Sequence, residues 1–210
     1  MNSTDLTPPG DPSAAFIEAS VWHGTLDRAE TIRAGHPEVA NASIHTAAIL
    51  GDDAAVRRFL ALDAGNATAK GGPRGWDALT HLCFSKYLRL DRTRSDAFVR
   101  AATALLDAGA RANTGFFDES HQPHPQFESA LYAAAGVAHH AELTRLLLER
   151  GADPNDGEVP YHAPEGYDNA ALKVLVECGQ LTADSLATML LRKADWHDYD
   201  GIKFLLEHGA

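Results

Sequence analysis

The chain runs to 210 residues, 45% hydrophobic and 22% charged, with a formal net charge of −11. That composition supplies enough apolar side chain for a core and excludes wholesale disorder. No apolar stretch is long enough to span a membrane, and the acidic excess argues against nucleic acid or an anionic membrane as partner.

Residues 1–13 are polar, with Pro8, Pro9 and Pro12 and neither the basic nor the apolar region of a secretory signal. A flexible tail is expected there, followed by one folded unit over residues 14–210. A faint helix pair comes next, at residues 17–24 and 26–33. Ile44-His45-Thr46-Ala47-Ala48-Ile49-Leu50-Gly51 then introduces a phrase that returns as Asp77-Ala78-Leu79-Thr80-His81-Leu82-Cys83 and as Ser129-Ala130-Leu131-Tyr132-Ala133-Ala134-Ala135. Val159-Pro160-Tyr161-His162 is a degenerate copy. Asp77 and Ser129 stand where a helix N-cap belongs, and Pro160 falls in a first turn, where its missing N–H costs nothing.

A second phrase follows each of these. It reads Phe59-Leu60-Ala61-Leu62-Asp63-Ala64-Gly65, then Ala104-Leu105-Leu106-Asp107-Ala108-Gly109-Ala110, then Leu146-Leu147-Leu148-Glu149-Arg150-Gly151-Ala152-Asp153-Pro154-Asn155. Val174-Leu175-Val176-Glu177-Cys178-Gly179 and Phe204-Leu205-Leu206-Glu207-His208-Gly209-Ala210 complete the series. Each copy reads as the end of an amphipathic helix, with leucines in one buried stripe and glycine at a left-handed C-cap. Burial of one such leucine is worth about 1.5–3 kcal/mol, so the ladder dominates cohesion.

Taken in this order the two phrases resemble the ankyrin repeat: a Thr-Pro-Leu-His-x-Ala start, a Leu-Leu-Leu-x-x-Gly-Ala end, then Asp-x-Asn. The resemblance covers about residues 14–210, and residues 129–155 carry both phrases in full. It implies an all-α fold: a helix-turn-helix solenoid with short β-like fingers. About six units begin near Ala14, Asn41, Asp77, Ser129, Val159 and Thr182. The family period is about 33 residues. Gly151 to Gly179 is 28 and Gly179 to Gly209 is 30, so those units are shortened. Gly65 to Gly109 is 44 and Gly109 to Gly151 is 42, so two units carry insertions, near residues 85–95 and 114–128. The chain stops in mid-phrase without a polar terminal repeat, so a longer natural protein is expected.

The resemblance implies a non-catalytic scaffold that meets a protein partner through its fingers and concave face. Trp76, Phe116, Phe117, Tyr161 and Tyr167, in or beside expected loops, are the partner-binding residues on this reading, since exposed aromatics give large contact area at low entropic cost. Phe116 and Phe117 have an alternative, which is to pack their own loop. Residues 1–112 hold 12 Lys and Arg against 13 Asp and Glu, and residues 113–210 hold 6 against 16. The acidic half favours a basic partner, or only keeps the stack soluble. The one basic cluster, Lys86, Arg89, Arg92 and Arg94, either grips phosphate or an acidic peptide or is an extended helix with solvated charges, docked on the chain's own acidic repeats.

Other chemistry is thinly represented. His121 and His124, near Asp118 and Glu119, and the run Asp195-Trp196-His197-Asp198-Tyr199-Asp200 lack the four disciplined ligands of a structural zinc site, so neither metal nor cofactor is expected. Asp198 or Asp200 reads more simply as a helix cap, and His139-His140 as an interhelical turn. There is no G-x-S-x-G elbow, Walker lysine or H-E-x-x-H, and the glycines of residues 71–75 form a turn. The rival readings are a metal-dependent hydrolase or other enzyme on a helical-repeat fold, and a spacer for a further C-terminal domain. Cys83 and Cys178 lie on separate helical segments and are expected to be reduced, which suits the cytoplasm.

Overall fold

The computed structural model describes residues 10–210; the first nine residues of the expected tail lie outside them. Helix dominates. The elements are α1 (Pro12–Ser20), α2 (Asp27–Gly35), α3 (Ile44–Ile49), α4 (Asp53–Leu62), α5 (Ala78–Cys83), α6 (Lys86–Leu90) and α7 (Ser95–Asp107). A hairpin follows, β1 (Gly115–Asp118) and β2 (Gln126–Ser129), then α8 (Ala130–Tyr132), which continues as a π-turn over Ala133–Val137. The chain closes with α9 (Ala141–Glu149), α10 (Glu158–His162), α11 (Ala170–Glu177), α12 (Ala183–Asp195) and α13 (Tyr199–Glu207). Pro12 and Ser13, read as tail from the sequence, open α1, because the Asp11 carboxylate accepts from the Ser13 N–H and caps it. Among the described residues no helix is long and apolar enough to cross a membrane.

The helices pack in two rows. Contacts run α1–α3–α5–α8–α10–α12 along one row and α4–α7–α9–α11 along the other. Alanine makes the first row close-fitting: Ala47, Ala48, Ala78, Ala130, Ala133, Ala134 and Ala135 are fully buried, so no side chain holds the backbones apart. Four of these starts are capped as the sequence dictates. Asp77 accepts from the Thr80 N–H at 2.8 Å, Ser129 from Tyr132, Asp52 from Ala55, and Ser43 forms a reciprocal capping box with Thr46. Each cap is worth about 1 kcal/mol.

The helix ends repeat just as closely. Gly109, Gly151, Gly179 and Gly209 all have φ between 69° and 105°, the left-handed region a glycine enters without Cβ strain. The residue four positions earlier is Leu105, Leu147, Leu175 or Leu205, and each is fully buried. In three copies that leucine's carbonyl accepts the N–H of the alanine after the glycine, a Schellman closure. Gly65 departs from the pattern. It lies in a 3-10 turn (Ala64–Ala67) whose N–H bonds to the Asp63 carboxylate, and the matching position Ala61 is exposed.

Asparagines stitch successive turns together. Asn113 donates to the Gly151 carbonyl at 2.9 Å and accepts the Asp153 N–H at 2.7 Å; Asn155 does the same to Gln180 and Thr182, at 3.0 and 2.9 Å. The basic segment is used internally. Lys86 Nζ donates to the Ala19 carbonyl at 2.8 Å, Arg89 to Gly24 at 2.7 Å, Arg92 to Ala138 at 2.6 Å and Arg94 to Leu50 at 2.7 Å. Ala19, Ala138 and Leu50 lie at helical C-termini, where the carbonyls are orphaned and the dipole is negative. These side chains dock the segment onto its neighbours rather than standing ready for phosphate; the long-range acceptors are carbonyls, and the acidic partner of Arg94 is the local Asp91, at 3.2 Å.

Candidate functional site

The hairpin pairs Gly115 with Ser129, Phe116 with Glu128, Phe117 with Phe127 and Asp118 with Gln126. Strand alternation therefore puts Phe116, Asp118, Gln126 and Glu128 on one face and Phe117 and Phe127 on the other. A Cβ at Gly115 would run into the Glu128 carbonyl, so the register depends on glycine there.

The inward face closes on an aromatic cluster. Phe116 stacks on Trp76 with ring centroids 4.2 Å apart and an interplanar angle of 20°, and meets Trp22 and Phe84 edge-on at 5.4 and 5.2 Å. Trp22 in turn stacks on Phe84 at 4.9 Å. Trp76 is consequently only 4% exposed, which corrects the expectation of a loop aromatic free to anchor a partner. Its neighbour Gly71 bridges back to it, turning the indole under the hairpin. Phe116 is half-buried and packs on Trp76 and Phe84, which flank α5, and on Trp22 of the α1–α2 loop, not on its own loop alone. Phe117 is the exposed member, 66% accessible and paired with Phe127 at 5.2 Å.

Trp76, Phe116, Phe117 and Phe127 line a groove of about 590 Å³ whose rim carries Lys70, Arg74 and Arg111. All three cations are exposed; Arg74 also lies over the Trp76 ring at 5.1 Å and pairs with Glu18 at 2.9 Å. Tyr161 and Tyr167 do not line it. Tyr161 is covered on one face by Arg192, 4.1 Å from the ring centroid, and Tyr167 packs its edge against Trp196 at 6.1 Å. Trp22 was missed from the sequence, where it stands alone; its left-handed backbone (φ 69°) is what turns the ring toward Phe84.

Beside the aromatics lies a titratable network. Gln126 donates to Glu158; His162 bridges Glu158 at 3.1 Å and Glu165 at 3.0 Å; Arg192 binds Glu165 at 3.0 Å. Burial works to lower the His162 pKa, but its bonds and charges from Glu158 and Glu165 outweigh that and raise it. Glu128 is 2% exposed, and burial followed by the charges of Glu158 and Asp118 pushes its carboxyl up to about 7. One donor atom each from Asp118, His121 and Glu128 lie within 4.8 Å of one another, and His124 is not among them.

Two other arrangements have structural roles. Ser95 Oγ lies 2.5 Å from His140 Nε2, which resembles a nucleophile and its base. His140 Nδ1, however, accepts the Leu143 N–H as the cap of α9, so the neutral ring carries its proton on Nε2 and donates to the serine. That tautomer cannot take the serine proton. In the 195–200 run, Asp198 caps α13 through the Gly201 N–H at 3.1 Å and binds the buried Lys193 at 2.8 Å. No model of a known protein family matches the chain, and none of the curated proteins searched does so.

Proposed function

We propose that the chain is an ankyrin-type solenoid and acts as a non-catalytic module for protein interaction, binding an extended segment in the groove beneath the hairpin. The observation that supports this most is the conjunction of the exposed Phe117, paired with the half-buried Phe127, and the exposed cations Lys70, Arg74 and Arg111 on one rim. Aromatic and arginine side chains are the usual source of interface energy, and a cationic rim steers acidic partners. The sign at this groove is opposite to the net charge of −11, so the segment it takes is aromatic or aliphatic with acidic flanks. A basic partner, if there is one, belongs on the acidic second half instead. Six helix pairs, repeated Schellman ends and asparagine stitches support the repeat reading, and the two free cysteines fit a reducing, cytoplasmic setting.

Selection of displayed random peptides tests the reading. Peptides enriched by the chain should carry an apolar residue beside Asp or Glu, and should lose about tenfold or more in affinity for Phe117→Ala, the loss that marks a hot spot. Equal binding by the parent, by Phe117→Ala and by a Lys70→Ala/Arg111→Ala variant would remove the groove as the site.

A further inference from the structure

Glu128 is the one hairpin side chain that the packing leaves unexplained. It is 2% exposed, yet its Oε2 has no hydrogen-bond partner. Leaving a buried carboxylate oxygen unpaired is costly, and folds normally supply a donor or a cation. The strand register brings two further ligands to it. Phe116 is the direct partner of Glu128, so Asp118, two residues on, lies diagonally across the pair on the same face. β1 ends there, and the turn returns His121 so that its Nδ1 is 3.9 Å from Asp118 Oδ2. Asp118 Oδ1 accepts the Ser120 N–H at 2.9 Å, which holds the carboxylate in place.

We propose that Asp118, His121 and Glu128 form a binding site for a divalent transition-metal ion of the Zn²⁺ class. An imidazole with two carboxylates is a borderline donor set, and the nitrogen disfavours Ca²⁺ and Mg²⁺, which prefer oxygen. Three protein ligands leave a coordination position for water. Glu128 supplies the buried end of the site, while His121, half-exposed, gives the ion a route in from solvent. The bound ion ties the hairpin tip to its inward face and cancels the charge crowded there. This site uses none of the groove residues, so the failure of either proposal leaves the other standing.

The sequence did not show this triad. His121 and His124 look like the natural pair, whereas Glu128 enters only through the register of β2. The test is calorimetric titration of the tag-free, chelator-stripped chain with Zn²⁺ alone, with thermal melts alongside. The expected result is one equivalent bound, affinity weakened by about tenfold or more in both His121→Ala and Glu128→Gln, and His124→Ala like the parent. Zn²⁺ should raise the melting midpoint of the parent but not of those two variants, because only a ligand of the native state stabilises it. No saturable equivalent in the parent overturns the proposal. So does equal binding by His121→Ala and Glu128→Gln, which would assign the metal to others of the 11 histidines. His121 is exposed enough for its loss to leave the fold intact, and circular dichroism of both variants checks this.

Discussion

The front of the molecule, α1 to the hairpin, and the back, α10 to α13, solve one problem by opposite chemistry. At the front, neighbouring helix pairs are joined by Phe16, Phe84, Phe98 and Trp76, all buried, with Trp22 and Phe116 laid over them. At the back, the joint between α12 and α13 is a fully buried lysine. Lys193 Nζ donates to the Gly166 carbonyl at 2.7 Å and to Asp198 at 2.8 Å, while Asp198 also accepts from Asn169 at 2.7 Å. Gly201 makes room: a Cβ there would sit 2.8 Å from Lys193 Cδ and Cε. The lysine stem fills space as a leucine would, and its head satisfies groups no leucine could. The front is held by volume and the back by a polar register. Removing one partner should therefore hurt the back more, and acid should find different weak points in the two.

The sharpest way to break that contrast is Lys193→Met. It keeps the stem and leaves Asp198 a buried charge without its cation, at a cost of about 3–5 kcal/mol in urea unfolding. The double variant Lys193→Met/Asp198→Asn should cost less than the single, because the orphaned charge is gone. Burial alone would raise the Asp198 pKa, but bonds from Lys193, Asn169 and the Gly201 N–H bring it down to about 2. With the folded value depressed, the stabilisation is present above the unfolded value of 3.8 and is lost as pH falls toward 2. At the front, Phe116→Ala should cost about 2–3 kcal/mol, less than a full core aromatic because the ring is half-buried, with no added sensitivity to salt. A strong salt dependence of the Phe116→Ala effect would collapse the distinction.

How much of this was legible in the sequence depended on the range of the interaction. Helix ends were readable because a Leu four residues before Gly and a capping Asp or Ser act within one turn; Leu105, Leu147, Leu175 and Leu205 are all buried as the phrase implies. Gly65 misled because its copy lacks the buried leucine. The exposure of the loop aromatics was half-read. Phe117 is exposed, but Trp76 is covered, because whether a loop aromatic faces out is decided by what crosses it, here Phe116 from 40 residues away. Lys193 and Glu128 gave no signal at all. A charged residue reads as solvated unless its partners are known in space: the Gly166 carbonyl and the Asp198 carboxylate accept from Lys193, and no donor reaches Glu128 Oε2.

Acid sharpens the comparison at the front. His81 is fully buried against His45 and Trp76, with Nδ1 2.9 Å from the Asp77 carbonyl; burial first, then the nearby His45, lower its pKa to about 4, against the opposing pull of Asp77. The unfolded histidine, at 6.5, binds a proton that the folded one refuses, so stability falls as pH drops from 6.5 toward 4. Between pH 7 and 5 the loss should be about 1–2 kcal/mol, and His81→Gln should flatten that part of the profile even if it lowers its level. An unchanged slope in His81→Gln would mean that the ring protonates without cost and is open to water.

The smallest effect separates repeat geometry from either chemistry. Asn113, before β1, and Asn155, between α9 and α10, make the same pair of bonds to a later turn; Asn113 is exposed and Asn155 half-buried. If the turns are held by one device repeated along the chain, Asn113→Ala and Asn155→Ala should each cost about 1 kcal/mol, the net worth of a hydrogen bond or two. Their double variant should be close to additive, because the one residue both touch, Asp153, meets Asn113 through its N–H and Asn155 through its carboxylate. Asn155 also accepts the Ser185 hydroxyl at 2.8 Å, so its loss should be slightly the larger. Hydrogen exchange gives the spatial readout: protection should fall at Asp153 for the first variant and at Thr182 for the second, each with little change at the other. Coupled losses at both amides would instead make the two turns one cooperative unit, with the front and back joined through α9 rather than through their separate cores.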